Sequence, residues 1–267
     1  MSDVESGVVR TVLHSGAGGQ GLVRCLVEMP PGSRFTGTAG AGGELWFVIA
    51  GTGQMESGGL PGPSGLPVGP DLPSLSSSSG VPGVPGVPGQ PVRPDSALWL
   101  PPGTPYCLQA DRQQVVRLDT VSLPAGVGDA ADTDGSAAGQ DGSAGPADGA
   151  PVPRLSQLSD CPVEVTGERR FRVLFGPGRG CSAATQFAGE IPPGRAPAHT
   201  HLYDEVVLIL DGEGVLHAGP DDHPLAPGSC VHLPPGLPHC LENTGQATLR
   251  VLGVFHPGGS PAAKREQ

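Results

Sequence analysis

The sequence has no excess of basic residues. It contains 15 Lys and Arg against 26 Asp and Glu, a formal net charge of −11 over 267 residues. Nucleic acids and anionic membrane surfaces bind positively charged proteins, so we expect neither as a partner. The sequence also lacks an apolar run near the ~20 residues that span a bilayer, and its first residues lack the basic and apolar regions of a secretory signal. These absences predict a cytoplasmic protein.

No pair of cysteines has the C-x-x-C spacing of a metal or redox motif. The six cysteines are scattered along the chain: Cys25, Cys107, Cys161, Cys181, Cys230 and Cys240. In a reducing compartment, isolated cysteines of this kind are usually buried thiols. The sequence therefore favours free thiols over a framework of disulfides.

No long segment shows a clean helical period. The apolar runs are short, rich in Val, Leu and Phe, and separated by glycine and proline, of which the chain has 44 and 32. Such runs are typical of short β-strands joined by turns. The sequence therefore predicts an all-β fold.

Two segments are too poor in large apolar side chains to contribute to a core. Residues 52–96, in which VPG occurs three times, are predicted to form a mobile Pro/Gly-rich surface insertion, with a ligand for a proline-recognising domain as the alternative. Residues 124–152, with several aspartates, are predicted to be a disordered acidic linker. We therefore expect two domains, residues 1–123 and residues 153–267.

The two predicted domains repeat one another. RTVLHSGAGGQGLVRCLVEMPPG (10–32) aligns with RVLFGPGRGCSAATQFAGEIPPG (172–194), and DSALWLPPGTPYCLQA (95–110) aligns with GSCVHLPPGLPHCLEN (228–243), both without a gap. Between these segments, GTAGAGGELWFVIAG and AHTHLYDEVVLILDG share a glutamate, an apolar run and a closing glycine. Repeated segments in the same order indicate an internal duplication.

Candidate metal ligands gather in the second repeat. His199 and His201 are two residues apart and would face the same side of a strand, and Glu205 begins the next apolar run. His239 follows a PPGLP turn much further along the chain. Three imidazoles and one carboxylate suit a divalent transition metal such as iron, manganese, zinc, nickel or cobalt. A lone carboxylate buried in a strand would be costly, which favours a bound metal over a solvated side chain.

The second repeat resembles the cupin superfamily. The first cupin motif, G(X)5HXH(X)3–4E(X)6G, matches GRAPAHTHLYDEVVLILDG, except that four residues rather than five separate Gly194 from His199. The second motif, G(X)5PXG(X)2H(X)3N, matches GSCVHLPPGLPHCLEN in full. The resemblance implies two jelly-roll (double-stranded β-helix) barrels. It also implies that the second barrel holds one metal through His199, His201, Glu205 and His239.

The first repeat resembles a cupin that has lost its metal. It keeps Glu44, but Thr38 and Gly40 replace the paired histidines and Tyr106 replaces the third. We hypothesise that aromatic side chains, among which Trp99 lies in the aligned strand, partly fill the former site. The resemblance also suggests that this metal-free barrel closes the mouth of the active one, as paired cupin barrels commonly pack face to face.

Two further residues are candidates for catalysis. Tyr203 lies between two predicted ligands and would hydrogen-bond a substrate, or else pack on the barrel rim. His232 lies on the strand before the PPG turn and would act as an acid or base if it faces inward.

The predicted site is compatible with three classes of function. An oxygenase or dioxygenase with iron is favoured because such reactions are frequent among cupins. The alternative is a non-redox isomerase, lyase, decarboxylase or cyclase, in which the metal polarises a carbonyl or activates water. The third is a binding protein without turnover, although no helix-turn-helix or other output domain is evident. In each case the partner is a small molecule, and the chain is a monomer of two barrels or a homodimer.

Overall fold

A computed structural model describes residues 7–15, 21–57, 89–126 and 152–262, which form β-strands and one short 3-10 helix, Leu158–Asp160. The first ten strands are β1 (Val9–Ser15), β2 (Val23–Met29), β3 (Arg34–Thr38), β4 (Glu44–Ala50), β5 (Gly53–Ser57), β6 (Gln90–Val92), β7 (Ser96–Leu100), β8 (Pro105–Ala110), β9 (Val116–Ser122) and β10 (Arg154–Gln157). The second ten are β11 (Glu164–Thr166), β12 (Arg169–Phe175), β13 (Thr185–Ile191), β14 (Gly194–Arg195), β15 (Asp204–Asp211), β16 (Gly214–Ala218), β17 (Asp221–Leu225), β18 (Cys230–Leu233), β19 (His239–Asn243) and β20 (Leu249–His256). The all-β prediction is confirmed. Within the described ranges, no helix is long and apolar enough to cross a membrane.

The strands form four sheets, two in each half of the chain. In the first half the orders are β1-β2-β9-β4-β7-β10 and β3-β8-β5-β6. In the second half they are β11-β12-β13-β20-β15-β18 and β14-β19-β16-β17. Apart from the added strands β10 and β11, the two halves match strand for strand. Each half is therefore a jelly-roll barrel made of a larger and a smaller sheet, and the duplication predicted from the sequence is confirmed.

The larger sheets bury side chains on both faces. On β4, Trp46 and Val48 point into the first barrel, whereas Leu45 and Phe47 belong to a core shared with the second half. This alternation is the two-residue period of a strand. The shared core also contains side chains from β15 and β20 of the second half: Val206, Leu208, Leu252 and Val254. The two barrels therefore pack through the outer faces of their larger sheets.

A buried ion pair lies at this junction. The Arg24 guanidinium on β2 donates to both carboxylate oxygens of Asp119 on β9, from Nε at 2.7 Å and from Nη2 at 2.8 Å. Its Nη1 donates across the junction to the carbonyl oxygen of Val206 on β15, at 2.9 Å. Both side chains have no exposed surface. Arg24 therefore links the first barrel to β15, the strand that contains Glu205.

The segment predicted as a surface insertion is shorter than residues 52–96. Its ends form β5 and β6, which pair with each other, and its last residue, Ser96, begins β7. Residues 58–88, which include the VPG repeats, lie outside the described residues. QMES and QPV form strands because each pairs with an extended segment of the smaller sheet. Pairing between segments distant in sequence cannot be read from local composition.

The strand β10 lies after the predicted linker but pairs with β7 of the first half, with Arg154 opposite Trp99. The region predicted as the second domain therefore adds one strand to the sheet of the first. Residues 127–151 of the predicted linker lie outside the described residues. The division into domains 1–123 and 153–267 stays a prediction.

The six cysteines form no disulfide, as their spacing predicts. Five of them are buried and Cys230 is partly exposed. Burial raises the pKa of the Cys107 and Cys230 thiols. Both therefore remain protonated at neutral pH, the form expected of packed rather than reactive thiols.

The same backbone geometry explains the glycine that follows the apolar strand in each repeat. Gly51 and Gly212 have φ of 81° and 87°, in the left-handed region that favours glycine. A Cβ at Gly51 would lie 2.3 Å from the carbonyl oxygen of Val115, and one at Gly212 would lie 2.9 Å from the Cα of Leu249. In both barrels the turn after the apolar strand therefore passes against a neighbouring backbone.

We expect Gly51→Ala to lower the free energy of unfolding by about 3 kcal/mol, the sum of left-handed strain and a contact with rigid backbone. Gly103→Ala is the matched control, because Gly103 has φ of 71° but open space around its Cβ position. It should cost only the backbone strain, about 1–2 kcal/mol. Urea unfolding measures both values, and equal losses would show that the contact with Val115 carries no cost.

Candidate functional site

Backbone pairing brings the three histidines of the second barrel together. His199 and His239 form an isolated β-bridge, in which each N–H donates to the other carbonyl at 3.0 Å. His201 follows two residues later, and its carbonyl accepts from the Gly236 N–H of the PPGLP turn at 2.8 Å. Residues almost forty positions apart in sequence thereby reach one end of the barrel.

His201, Glu205 and His239 form a compact buried group. One potential ligand atom from each lies within 4.8 Å of the others, and the three residues are between 3% and 6% exposed. The His199 ring lies beside this group, with its centroid 4.6 Å from that of His239 and 6.3 Å from that of His201. The structure therefore brings three of the four predicted ligands together and places the His199 ring beside them, and binding of a metal by the four stays a prediction.

The hydrogen bonds of two imidazoles fix which nitrogen carries the proton. Nδ1 of His201 lies 2.9 Å from the carbonyl oxygen of Tyr203, and Nδ1 of His239 lies 2.9 Å from that of Leu237. A carbonyl oxygen can only accept, so each Nδ1 donates, and in the neutral ring Nε2 keeps its lone pair. This is the tautomer in which imidazole binds metals.

The same tautomer leaves a contact between two acceptors. Nε2 of His201 lies 2.8 Å from Oε2 of Glu205. Two lone pairs at this distance repel unless a proton or a metal cation lies with them. Burial also lowers the pKa of His239, and burial with the nearby His239 lowers that of His199 to about 4, which keeps these rings neutral. The donor set therefore fits a divalent transition metal.

A small cavity adjoins this group. Its volume is about 70 Å³, and apolar side chains form most of its wall: Phe171, Phe187, Ile191, Val207, Leu233, Leu241, Val251 and Phe255. Every residue that lines it lies between Thr166 and Pro261. None of the described residues of the first barrel lines this wall, so the described part of that barrel does not close the mouth of the second one as expected. The first barrel packs on the back of the larger sheet instead.

The residue Tyr203 lies where the cavity meets the metal-ligand group. Its ring stacks on that of His201, with centroids 4.5 Å apart and planes at 9°. Its hydroxyl donates to the carbonyl oxygen of Ser260 at 3.2 Å. Burial and the Glu205 charge raise the pKa of Tyr203 to about 12. The hydroxyl is therefore a hydrogen-bond donor at neutral pH and not a base.

A glycine shapes the aromatic part of the cavity wall. A Cβ at Gly253 would lie 2.2 Å and 2.3 Å from two carbons of the Phe187 ring. The ring lies flat against the strand because no side chain is present there. Phe187 is then positioned 4.8 Å from Phe255, centroid to centroid, which completes an aromatic wall.

The comparisons with known proteins agree with this geometry. The family model described as "Cupin domain" matches residues 188–255, which contain the histidines, the glutamate and the strands that hold them. Residues 188–255 therefore match a cupin domain, within a fold of two jelly-roll barrels. The fold of a glyoxylate-induced protein of Pseudomonas aeruginosa is similar, with a TM-score of 0.67 at 13% identity over 96% of this chain and 83% of that one. Oxalate decarboxylase of Bacillus subtilis gives a TM-score of 0.66 at 12% identity over 94% of this chain and 73% of that one.

The curated sequence relatives match only part of the chain. The oxalate-binding protein of Thermotoga maritima is 37% identical over 68 residues, which are 25% of this chain and 56% of that protein. The chain spans about half or less of the length of the curated relatives it matches.

The residue His232 is not at the cupin site. It pairs with Val206, so both side chains point to the outer face of the sheet, and the next residue, Leu233, lines the cavity instead. Nε2 of His232 lies 3.0 Å from Oδ1 of Asp204, and its ring lies 4.5 Å from that of His14 in the first barrel. The prediction that His232 acts as an acid or base in the cavity required an inward side chain, which strand alternation excludes.

No sequence pattern indicated Arg169, which lines the cavity from the start of β12. Burial lowers the pKa of its guanidinium, and the Glu205 charge acts in the opposite direction. Arg169 lies outside both cupin motifs and in no recognisable pattern with them. Only the closure of the barrel brings it to the ligands.

The corresponding place in the first cupin barrel is filled by aromatic rings. Oε2 of Glu44 accepts a hydrogen bond from Nε1 of Trp46 at 2.8 Å. The Tyr106 ring lies 4.7 Å from Trp46 and 5.5 Å from Phe35, and its hydroxyl lies 2.5 Å from where a Cβ of Gly37 would be. Among the described residues of this half, no three potential ligands cluster. Aromatic side chains therefore occupy the site, as hypothesised.

The residue Trp99 is not one of these rings. It lies in the core that the two barrels share, where it is 6% exposed. The strand alternation that turns His232 outward in the second barrel turns Trp99 outward in the first.

Proposed function

We propose that the second barrel binds one divalent transition metal through His199, His201, Glu205 and His239, and that the protein is an enzyme acting on a small organic molecule beside it. The convergence of His201, Glu205 and His239 carries this proposal, because their ligand atoms lie within 4.8 Å of one another and a metal cation would sit between Nε2 of His201 and Oε2 of Glu205 in place of a proton. The adjoining apolar cavity gives a substrate a site sheltered from water.

Within this class we propose an oxygenase or dioxygenase. A bound iron ion would supply the redox chemistry, and the apolar wall would keep water from competing with substrate and dioxygen. Tyr203, protonated at neutral pH, would donate a hydrogen bond to a substrate oxygen after breaking its bond to Ser260. Localisation in the cytoplasm, and a monomer or homodimer as the functional state, stay predictions.

A non-redox reaction such as decarboxylation is the second candidate. Two similarities favour it, namely the fold of oxalate decarboxylase and the sequence of the oxalate-binding protein. In this alternative the metal supplies Lewis acidity, and the chain's own residues orient the substrate without dioxygen. Binding without turnover is the third reading, which the oxalate-binding relative also supports.

Metal analysis of anaerobically purified protein, followed by oxygen-electrode traces with candidate substrates, separates these functions. Iron with substrate-dependent oxygen uptake is the expected result. Carbon dioxide release without oxygen uptake would replace the oxygenase by the second candidate. Tight binding without a product under any metal would leave a binding protein. Protein that takes up no metal would refute the proposal as a whole.

A further inference from the structure

Two guanidinium nitrogens in the second barrel, Nη2 of Arg169 and Nε of Arg172, are buried without a hydrogen-bond partner, and of the two residues only Arg169 lines the cavity beside the metal-ligand group. Nη2 of Arg169 meets no hydrogen-bond acceptor among the described residues. No carboxylate of the described chain forms an ion pair with Arg169, whereas Arg24, Arg117 and Arg250 each pair with one. A buried donor of this kind is costly to leave unpaired, about 1–3 kcal/mol and more when charged. The position of Arg169 therefore calls for an acceptor that the protein itself does not provide.

The Arg169 side chain lies between two cavities. Arg169 lines the cavity of about 70 Å³ beside the metal-ligand group and also a second cavity of about 270 Å³. Thr166 and Ile191 line both as well, so the two are neighbours. The second cavity lies between the β11–β12 turn and the loop 192–197. A ligand held by Arg169 could therefore extend in both directions.

The inner cavity limits what lies beside the ligand group. One water needs about 10–15 Å³ by this measure, so the inner space holds only a few non-hydrogen atoms. Arg169 is close enough to the ligands for its charge to contribute to the lowered pKa of both His199 and His239. The group attached to an anion bound at Arg169 would therefore lie beside the proposed metal.

We propose that Arg169 binds the carboxylate of a small organic acid, whose reacting end occupies the inner cavity and whose remainder lies in the outer one. The planar fork of a guanidinium matches the two oxygens of a carboxylate. The inference depends on the proposed function only in placing the reacting end beside a metal. The bound acid satisfies Nη2, which the folded chain leaves without an acceptor.

The test compares acids with their neutral amides on metal-loaded protein. Acetate, pyruvate and malonate are titrated calorimetrically beside acetamide, pyruvamide and malonamide, into the unaltered protein and Arg169→Met. Loss of a charge-assisted hydrogen bond should raise the Kd of the acids by about 10- to 150-fold. The Kd of the amides should change by less than about threefold, because a neutral group forms the weaker bond. Arg169→Lys, which keeps the charge without the fork, should recover part of the loss.

Arg117→Met is the matched control, because it removes one positive charge from an exposed position in the first barrel. It should leave every Kd unchanged. Metal content and thermal unfolding of each variant show whether the fold and the ligand group survive. Acids and amides weakened equally, no acid bound more tightly than its amide, or inorganic phosphate preferred to every acid would each overturn the inference.

Turnover measured on the same preparations separates this inference from the proposed function. Acid binding that depends on Arg169 in a protein without turnover would refute the enzyme and leave the carboxylate site standing. Turnover of a carboxylic acid by Arg169→Met with unchanged kcat and KM would refute the carboxylate site and leave the enzyme standing.

Discussion

Protein carrying Glu205→Gln is expected to lose its metal, from about one equivalent per chain to less than about a tenth. The substitution keeps the shape of the side chain but removes the negative charge among three neutral imidazoles, and a neutral amide is a weak ligand for a transition metal. Residues that only orient metal ligands already contribute 10- to 100-fold to metal affinity, so loss of a ligand should cost more than about 100-fold. Plasma mass spectrometry of protein purified without chelators measures the content.

The duplication supplies the matched control for this prediction. Glu44 occupies the same position in the first barrel, and its carboxylate accepts a hydrogen bond from Trp46 that a glutamine oxygen can also accept. Glu44→Gln should therefore leave the metal content unchanged. A full complement of metal in Glu205→Gln, or an equal loss in Glu44→Gln, would contradict the assignment of the metal to the second barrel.

The second large effect concerns the junction of the barrels. Asp119→Ala is expected to lower the free energy of unfolding by about 3–5 kcal/mol, because it leaves the Arg24 charge buried without its partner. The loss should extend to the second barrel, since Arg24 also donates to the carbonyl of Val206 next to Glu205. Urea unfolding measures the stability, and metal content measures the effect on the ligand group.

The same two strands contain an exposed pair for comparison. Arg117 and Glu28, on β9 and β2, form a contact of 3.0 Å with side chains 56% and 49% exposed. Arg117→Ala should cost less than about 1 kcal/mol, because water screens the charges. The double variant Arg24→Met with Asp119→Leu should recover most of the stability, since a buried ion pair seldom exceeds an apolar pair of similar volume. A cost below about 1 kcal/mol for Asp119→Ala would show that the pair contributes little.

Short-range patterns predicted the β-strands, whereas the resemblance to the cupin motifs implied the two barrels and the four proposed ligands. His199 and His201 share a face by strand alternation, and the spacing to Glu205 and His239 follows a motif. The side on which His232 lies could not be predicted in the same way. It depends on the register of β18 against β15, which pairs it with Val206 and is set by contacts distant in sequence.

Two other features could not be predicted from the sequence, for related reasons. Arg169 reaches the site through closure of the barrel, and a lone arginine at a strand start has no local signal of function. The strand β10 is a four-residue segment, RLSQ, without apolar alternation, and its partner β7 lies in the other repeat. The flanks of the predicted Pro/Gly-rich insertion form the strands β5 and β6, which pair with each other, and this pairing was not evident from composition.

The core shared by the two larger sheets has a consequence for how such a chain can diverge. A single barrel with that outer face would expose an apolar sheet to water, and a symmetric pair of identical barrels would cover it. In an identical pair, every substitution appears twice, so neither copy can give up its ligands alone. Joining the copies in one chain removes that constraint. One copy can then fill its former site while the other keeps its potential metal ligands, and here Tyr106 lies in the core of the first barrel whereas His239, at the same aligned position, lies in the ligand group.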